Sequence, residues 1–155
     1  MSRRYFLRLG ILFSVVVLLA AGCGGKQVVK PSEDSIKATE AVKALNSMQA
    51  SYEARDMAGV LKTVSPDFKG GYAELETSLR KDMETFPKVS LVTDVERVEL
   101  EGDLVKVVFH WFGHWTGKDG QEHEGRGNSI FVFKPSGSGM SLDSITGDSP
   151  FGVIR

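Results

Sequence analysis

The sequence predicts an α+β domain in which three helices come first and a curved antiparallel sheet of about four strands follows. Apolar residues recur at three- and four-residue spacing as far as Phe86, but they alternate with polar residues after Pro87. Three turn signals then divide the second half, namely Glu101-Gly102-Asp103, Lys118-Asp119-Gly120-Gln121 and Pro135 to Gly139. Strands joined by such short turns pair antiparallel with their neighbours in sequence.

Apolar spacing places the three helices. The first is predicted over Ile36 to Ala54, with Asp34 or Ser35 capping its start. The second begins at Asp56 as its N-cap and runs to Val64, and the third covers Tyr72 to Phe86. The residues expected to face the core are Val42, Leu45, Met48 or Gln49, Tyr52, Val60, Leu61, Val64, Leu75, Leu79, Met83 and Phe86.

Alternation places the strands at Ser90 to Glu101, Leu104 to Thr116, Ser129 to Lys134 and Met140 to Thr146. In the first strand the apolar phase slips by one residue near Glu96-Arg97. A slip of this kind predicts a β-bulge, because an extra residue returns the following side chains to the core face.

The second strand carries apolar residues on both faces, so we expect a central strand covered on both sides. One face holds Val105, Val107, Phe109, Trp111 and Trp115, and the other holds Leu104, Lys106, Val108, His110, Phe112 and His114.

The N-terminal residues 1–22 are predicted to be a signal peptide. Three arginines, the last of them Arg8, precede the short apolar segment Ile11 to Ala21. The run from Leu18 to Cys23 resembles the lipobox of bacterial lipoproteins, which implies that Cys23 is lipidated with palmitate-type chains and becomes the first mature residue. An ordinary cleaved signal would leave the only cysteine as a reactive free thiol, and the apolar segment is too short to span a bilayer.

This resemblance implies a lipid-anchored protein of the cell envelope that faces the periplasm or the exterior. Gly24 stands where an aspartate can act as a retention signal for the inner membrane, so the outer membrane is favoured in an organism with two membranes. Residues 23–35 are predicted to be the lipidated cysteine and a flexible tether, and residues 36–155 the folded domain.

Composition limits the partners. Residues 1–22 hold three of the 19 basic residues and none of the 20 acidic ones, so the remaining 133 residues carry a net charge of about −4. This surface excludes nucleic acid as an expected partner, because nucleic-acid binding needs a clustered basic face.

Three stretches resemble members of the NTF2-like, or SnoaL-like, superfamily: Ala50-Ser51-Tyr52-Glu53-Ala54-Arg55-Asp56, Ser65-Pro66-Asp67-Phe68 and Leu142-Asp143-Ser144-Ile145. The resemblance covers roughly residues 36–151. It implies a cone in which the helices pack on the concave face of the sheet, and often a homodimer through the outer face. The function stays open, since this fold carries isomerases, cyclases, dehydratases and non-catalytic binding modules.

The resemblance also implies a pocket between the helices and the sheet. The side chains expected to line it and bind a ligand are Tyr52, Tyr72, Phe109, Trp111, Phe131 and Phe133, with Phe68 beside them. A cone filled by the same aromatic residues is the favoured alternative, because aromatic side chains are ordinary core material.

No catalytic residue, metal or cofactor is predicted. His110 and His114 are separated by about 13 Å of strand, so they cannot share an ion, whereas His114 and His123 could be diagonal neighbours across a hairpin. For acid–base chemistry, His110 is the best general-base candidate if its face turns inward, and Asp94 and Asp143 are alternatives.

The chain is therefore interpreted as a lipid-anchored envelope protein whose domain binds an unidentified ligand or partner without catalysis. The alternatives are an isomerase or hydrolyase for a small hydrophobic molecule, and a structural envelope assembly factor. In the tail from Thr146 to Gly152, Phe151 is expected to plug the open end of the cone or to dock onto a partner.

Overall fold

The computed structural model describes residues 30–137 and 139–152. The predicted signal peptide, Cys23 and most of the predicted tether lie outside these ranges. Three helices precede four strands, as the sequence predicts. The helices are α1 Glu33–Glu53, α2 Met57–Lys62 and α3 Tyr72–Thr85, and the strands are β1 Lys88–Glu101, β2 Leu104–Thr116, β3 Glu122–Ser136 and β4 Gly139–Gly147.

The helix boundaries correct the prediction at the start of α1. The N-cap is Ser32, whose hydroxyl accepts a hydrogen bond from the Ser35 N–H over 3.1 Å, so residues 33–35 belong to the helix and not to the tether. Asp56 caps α2 as predicted, accepting from the Gly59 N–H over 2.9 Å. Helix α3 ends at Thr85, because a residue before proline, here Phe86, is driven into an extended conformation.

The strands form one antiparallel sheet in the order β1-β2-β3-β4. The register shifts between Val95 and Arg97, which confirms the predicted bulge in β1. A second shift lies between Val132 and Phe133 on β3, where Asp143 is the extra residue on β4. The alternation of the sequence did not reveal this second bulge.

Strand β3 begins at Glu122 and ends at Ser136, well beyond the predicted range of Ser129 to Lys134. Its first half is polar and glycine-rich, but it pairs residue by residue with β2, so the ladder of hydrogen bonds extends it. The inner face shows why glycine occurs here. A Cβ atom on Gly127 would lie 2.9 Å from the Trp111 ring, and one on Gly125 would lie 3.2 Å from the Trp115 ring.

The core lies between the helices and the inner face of the sheet. Buried side chains from all seven elements meet there, among them Leu45, Met48, Tyr52, Val60, Leu79, Leu91, Phe109, Trp115, Phe131, Phe133 and Leu142. Helix α1 is also tied to β1, since the Leu91 N–H donates to Glu53 over 2.6 Å and the Thr93 hydroxyl donates to Gln49 over 2.8 Å.

The outer face of β2 is not covered within the described residues, which corrects the expectation of a strand buried on both sides. Phe112 is 45% exposed there, and Val92 beside it on β1 is 61% exposed. The physical reason is that all three helices contribute their apolar faces to the same inner core. None of the described helices is long and apolar enough to cross a membrane.

Candidate functional site

The inner side of the cone is filled by aromatic rings. Of the six predicted ligand-binding residues, Tyr52, Phe109, Phe131 and Phe133 are at most 1% exposed, and Trp111 is 8% exposed. The ring centroids of Phe109 and Phe131 are 4.9 Å apart, and those of Phe131 and Phe133 are 6.3 Å apart. The sixth residue, Tyr72, is half-buried at the start of α3. Their packing is that of a core, and their role in ligand binding stays a prediction.

A buried polar cluster crosses this aromatic core. Asp82 of α3 is fully buried and accepts a hydrogen bond from the Tyr52 hydroxyl over 2.8 Å. The Tyr52 hydroxyl in turn accepts one from the Trp115 indole N–H over 3.0 Å. Burial, followed by the negative charge of Asp82, raises the pKa of Tyr52 well above its ordinary range. The Tyr52 O–H therefore stays protonated and acts as a fixed donor.

Sequence reasoning missed Asp82, although a signal was present. Asp82 lies on the apolar stripe of α3, three residues after Leu79 and four before Phe86. A carboxyl group on the buried face of an amphipathic helix indicates a polar partner in the core, because burial without one is costly. That partner comes from α1 and from the C-terminal segment.

The C-terminal segment packs onto its own domain, which agrees with the first of the two alternatives predicted for Phe151, a plug at the end of the cone. The Phe151 side chain is 3% exposed, and its ring lies 5.0 Å from the Tyr52 ring and 5.9 Å from the Phe131 ring. The Gly152 N–H donates to Oδ2 of Asp82 over 2.7 Å. The same carboxyl oxygen therefore receives donors from α1 and from the tail.

Asp143 belongs to a separate cluster with two lysines. Its carboxyl oxygens lie 2.7 Å from the Lys69 Nζ and 3.1 Å from the Lys134 Nζ, and its side chain is 5% exposed. The hydrogen bond from Lys69, with a further one from Lys134, lowers the pKa of Asp143 against the opposing effect of burial. A carboxylate held this firmly in its charged form is a poor general base, so the cluster serves to hold the loop after α2 against β4.

His110 lies on the outer face of the sheet. It was a candidate for a general base only if its face turned inward, and the structure shows that it does not. Its Nδ1 is hydrogen-bonded to the side-chain oxygen of Asn128, and its Nε2 lies 3.4 Å from Glu96. Asp94 pairs with His110 in the register of β1 and β2, so it also faces outward. Neither residue reaches the buried cluster around Asp82.

His114 and His123 are not neighbours on one face. The predicted diagonal contact needs His123 to stand opposite Thr116, and the register is shifted from that by one residue. His123 is opposite Trp115 and packs against the Phe86 ring at 5.3 Å, whereas His114 faces outward, 3.5 Å from Glu122 and 3.6 Å from Glu124. Within residues 30–137 and 139–152, no group of three His, Cys, Asp or Glu side chains is placed to hold a metal ion.

A groove of about 560 Å³ lies on the outer face. It crosses β1, β2 and β3, and the residues that line it are Val92, Asp94, His110, Trp111, Phe112, Arg126, Gly127, Asn128 and Asp148. Apolar side chains are exposed in its middle, and Asp94 and Arg126 stand on opposite sides of β2. Such a groove can bind a partner through apolar contact and paired charges, but it offers no enclosed space for a reaction.

The fold is similar to known structures, although no family model and no curated protein matches the sequence. An NTF2-like superfamily protein from Salmonella enterica serovar Typhimurium is 18% identical, with a TM-score of 0.63 over 77% of this chain and 94% of that one. A protein provisionally described as a dehydratase of the NTF2-like family, from Streptomyces avermitilis, is 16% identical, with a TM-score of 0.63 over 72% and 94%.

A third structure, provisionally described as an aromatic ring hydroxylase from Novosphingobium aromaticivorans, is 16% identical, with a TM-score of 0.64 over 78% and 94%. These similarities, together with the order of elements, establish the NTF2-like cone. At such low identity they concern the fold alone.

Proposed function

We propose that this chain is a lipid-anchored cell-envelope protein whose NTF2-like domain binds a partner without catalysing a reaction. The observation that carries the proposal is the filled cone, in which buried aromatic rings occupy the space between the helices and the sheet. An isomerase or hydrolyase would need an open pocket in which a titratable group reaches the substrate. The packing therefore supports a binding role over the enzymatic alternative.

The binding surface in this proposal is the outer sheet face, and the partner is a second copy of the chain. A two-fold axis along β2 places β1 of one copy over β3 of the other, because an isologous interface pairs each surface with itself. Asp94 on β1 then approaches Arg126 on β3 of the second copy. Neither residue has an ion-pair partner among the described residues, while Val92 and Phe112 supply exposed apolar surface between them.

A charge exchange tests the dimer. Arg126→Asp places like charges opposite Asp94 at two symmetric positions, so we expect the dimer dissociation constant of the full chain in detergent to rise about tenfold. The double variant Asp94→Arg with Arg126→Asp should restore the association, as measured by sedimentation equilibrium. Lys118→Asp at the tip of the β2–β3 hairpin is the control and should leave it unchanged. A wild-type chain that is monomeric at all concentrations rejects this surface.

The sequence of residues 1–23 supports the membrane anchor. Two or three acyl chains on Cys23 would hold the protein firmly, since each buried methylene contributes about 0.8 kcal/mol. Mass spectrometry of the protein purified from bacterial membranes tests this part. We expect an N-terminal Cys23 carrying the mass of a diacylglycerol, and we expect Cys23→Ser to abolish that modification. An unmodified N-terminus in membrane-extracted protein contradicts the anchor without affecting the dimer.

A further inference from the structure

A groove of about 470 Å³, here called the helix groove, is lined by α1, α2 and the start of β4. Its floor includes Ala44 and Met140, which also belong to the core, so the groove lies outside the core that the helices and the sheet enclose. We propose that the helix groove binds a short peptide of about three small residues by its free amino group and its free carboxylate. This inference goes beyond the proposed function, because the groove is separate from the outer face of the sheet.

Acceptor oxygens line the end of the helix groove beside the α1–α2 loop. Oδ1 of Asp56 accepts from the Gly59 N–H over 2.9 Å. In the described part of the chain, Oδ2 of Asp56 and the Ser51 hydroxyl have no hydrogen-bond partner. Both oxygens border the same space, since a Cβ atom on Gly59 would lie 2.6 Å from Oγ of Ser51 and would also overlap Oδ2 of Asp56. Two acceptors, one of them charged, suit an ammonium group, which has three donors and no acceptor.

Gly59 keeps this space open. Its backbone is helical, so no positive φ requires a glycine here, and glycine weakens a helix relative to alanine. Core packing does not require it either. The three atoms nearest to an added Cβ would belong to the side chains of Ser51 and Asp56, neither of which is buried. We therefore attribute the glycine to the space itself.

The other end of the helix groove carries an excess of positive charge. Lys43 comes eight residues before Ser51, which is about 12 Å along α1. Lys62 lines the groove from the last residue of α2, and the acid nearest to these lysines along the lining is Glu40. None of these three charged side chains has an ion-pair partner among the described residues. With Asp56 at the loop end, the groove is neutral in total but polarised along its length.

A tripeptide matches this arrangement in length and charge. An extended chain spans about 3.3 Å per residue, so three residues place the ammonium and the carboxylate about 10 Å apart. The flexible side chains of Lys43 and Lys62 can cover the remaining distance to the carboxylate. A single amino acid is too short to reach both ends. Small side chains suit the floor, where Ala44 and Met140 offer a limited apolar surface.

Trialanine is the probe, and two blocked forms of it are the matched control ligands. N-acetyl-trialanine lacks the ammonium group, and trialanine amide lacks the carboxylate. Each is added to the full chain in mild detergent at low ionic strength, because salt screens exposed charges. Shifts of the Ser51 and Gly59 amides in NMR spectra report binding. We expect trialanine to bind about tenfold more tightly than either blocked form, since each free end makes charge-assisted hydrogen bonds.

Two charge variants test the two ends separately. Asp56→Asn keeps the cap of α2, because asparagine caps helices about as well as aspartate, but it removes the charge. We expect this variant to lose the preference for trialanine over the acetylated form and to keep the preference over the amide. The double variant Lys43→Gln with Lys62→Gln should show the reverse. Lys81→Gln, at an exposed position of α3, is the control and should bind as the wild type does.

Gly59→Ala tests the space at the loop end. The added methyl group occupies the position of the ammonium, so trialanine should bind at least about tenfold more weakly. The midpoint of thermal unfolding should stay the same or rise, because alanine favours the helix. A glycine needed only for packing would not separate binding from stability in this way. If Gly59→Ala does not fold, the blocked peptides and Asp56→Asn decide.

Three results would overturn the proposal. The first is trialanine that leaves the Ser51 and Gly59 amides unshifted at millimolar concentration. The second is equal binding of trialanine and its two blocked forms. The third is a folded Gly59→Ala variant that binds trialanine as tightly as the wild type. In each case the helix groove is a solvated surface between two helices, and the dimer through the outer sheet face is unaffected.

Discussion

Gly152 donates its backbone N–H to the buried carboxyl group of Asp82 over 2.7 Å, although 70 positions separate the two residues in sequence. This single contact joins the end of the described chain to the last turn of α3. Tyr52 shares the same carboxyl oxygen, so α1, α3 and the C-terminal segment meet at one atom. Removal of that atom should therefore affect the stability of the whole domain.

Asp82→Ala should lower the free energy of unfolding by about 2–4 kcal/mol, because it leaves the Tyr52 O–H and the Gly152 N–H without an acceptor in a buried place. Urea denaturation at pH 7 measures the change. Glu84→Ala, at an exposed position of the same helix, is the control and should stay within about 0.5 kcal/mol of the wild type. Equal losses in the two variants would show that the cluster is not buried in solution.

The wild type should lose stability at alkaline pH because Tyr52 ionises, and Tyr52→Phe should not show this loss. The pKa of Tyr52 is raised by burial and by Asp82, so the folded state keeps a proton that the unfolded state releases near pH 10. Its contribution is fully present below pH 10 and is lost as the pH rises further, by about 1.4 kcal/mol per pH unit.

We expect the stabilities of wild type and Tyr52→Phe to differ most at neutral pH and to converge between pH 10 and 11, as measured by denaturation at each pH. Tyr72→Phe, in the half-buried position at the start of α3, is the matched control and should run parallel to the wild type. Parallel curves for Tyr52→Phe would contradict the assignment.

Asp143→Asn should make the protein less stable at neutral pH but should matter less in acid. The folded-state pKa of Asp143 is lowered, chiefly by the hydrogen bond from Lys69, so its contribution is present above pH 4 and is lost as the pH falls below that value. We expect a loss of about 1–2 kcal/mol at pH 7, since Lys69 is itself largely exposed. Asp67→Asn, whose carboxylate is 90% exposed, should change stability by less than about 0.5 kcal/mol. A loss that persists unchanged at pH 2 would contradict the ion cluster.

Gly127→Ala should destabilise the domain by about 1–3 kcal/mol through overpacking. Its Cβ would lie 2.5 Å from the Cβ of Asp148 and 2.9 Å from the Trp111 ring, and both must move. Thermal unfolding should show a lower midpoint, and Trp111 fluorescence should change because its indole N–H loses the Asp148 carbonyl. Gly137→Ala is the control, since a Cβ there meets nothing within 4 Å. A normal midpoint for Gly127→Ala would mean that Asp148 and the Trp111 ring move away from β3 at little cost in stability.

Much of the fold is readable from local patterns. The change of period at Pro87, the Asp119-Gly120 turn and the slip near Glu96-Arg97 correctly predict the helices, the hairpin and the bulge, because each depends on a few residues in sequence. The extent of β3 was missed for the opposite reason. Residues 122–128 carry no apolar alternation, and only pairing with β2 makes them a strand.

The sequence by itself determined the order of the elements, the aromatic composition of the core and the cysteine motif at Cys23. The tertiary structure decided which groups meet. It turned His110 outward, placed His114 and His123 on opposite faces and brought Gly152 to Asp82. Periodicity and turn chemistry act over a few residues, whereas the partner of a buried polar group is chosen by packing across the whole chain. Asp82 shows the difference: its place on an apolar stripe indicates that a partner exists, but only the fold identifies Tyr52 and Gly152.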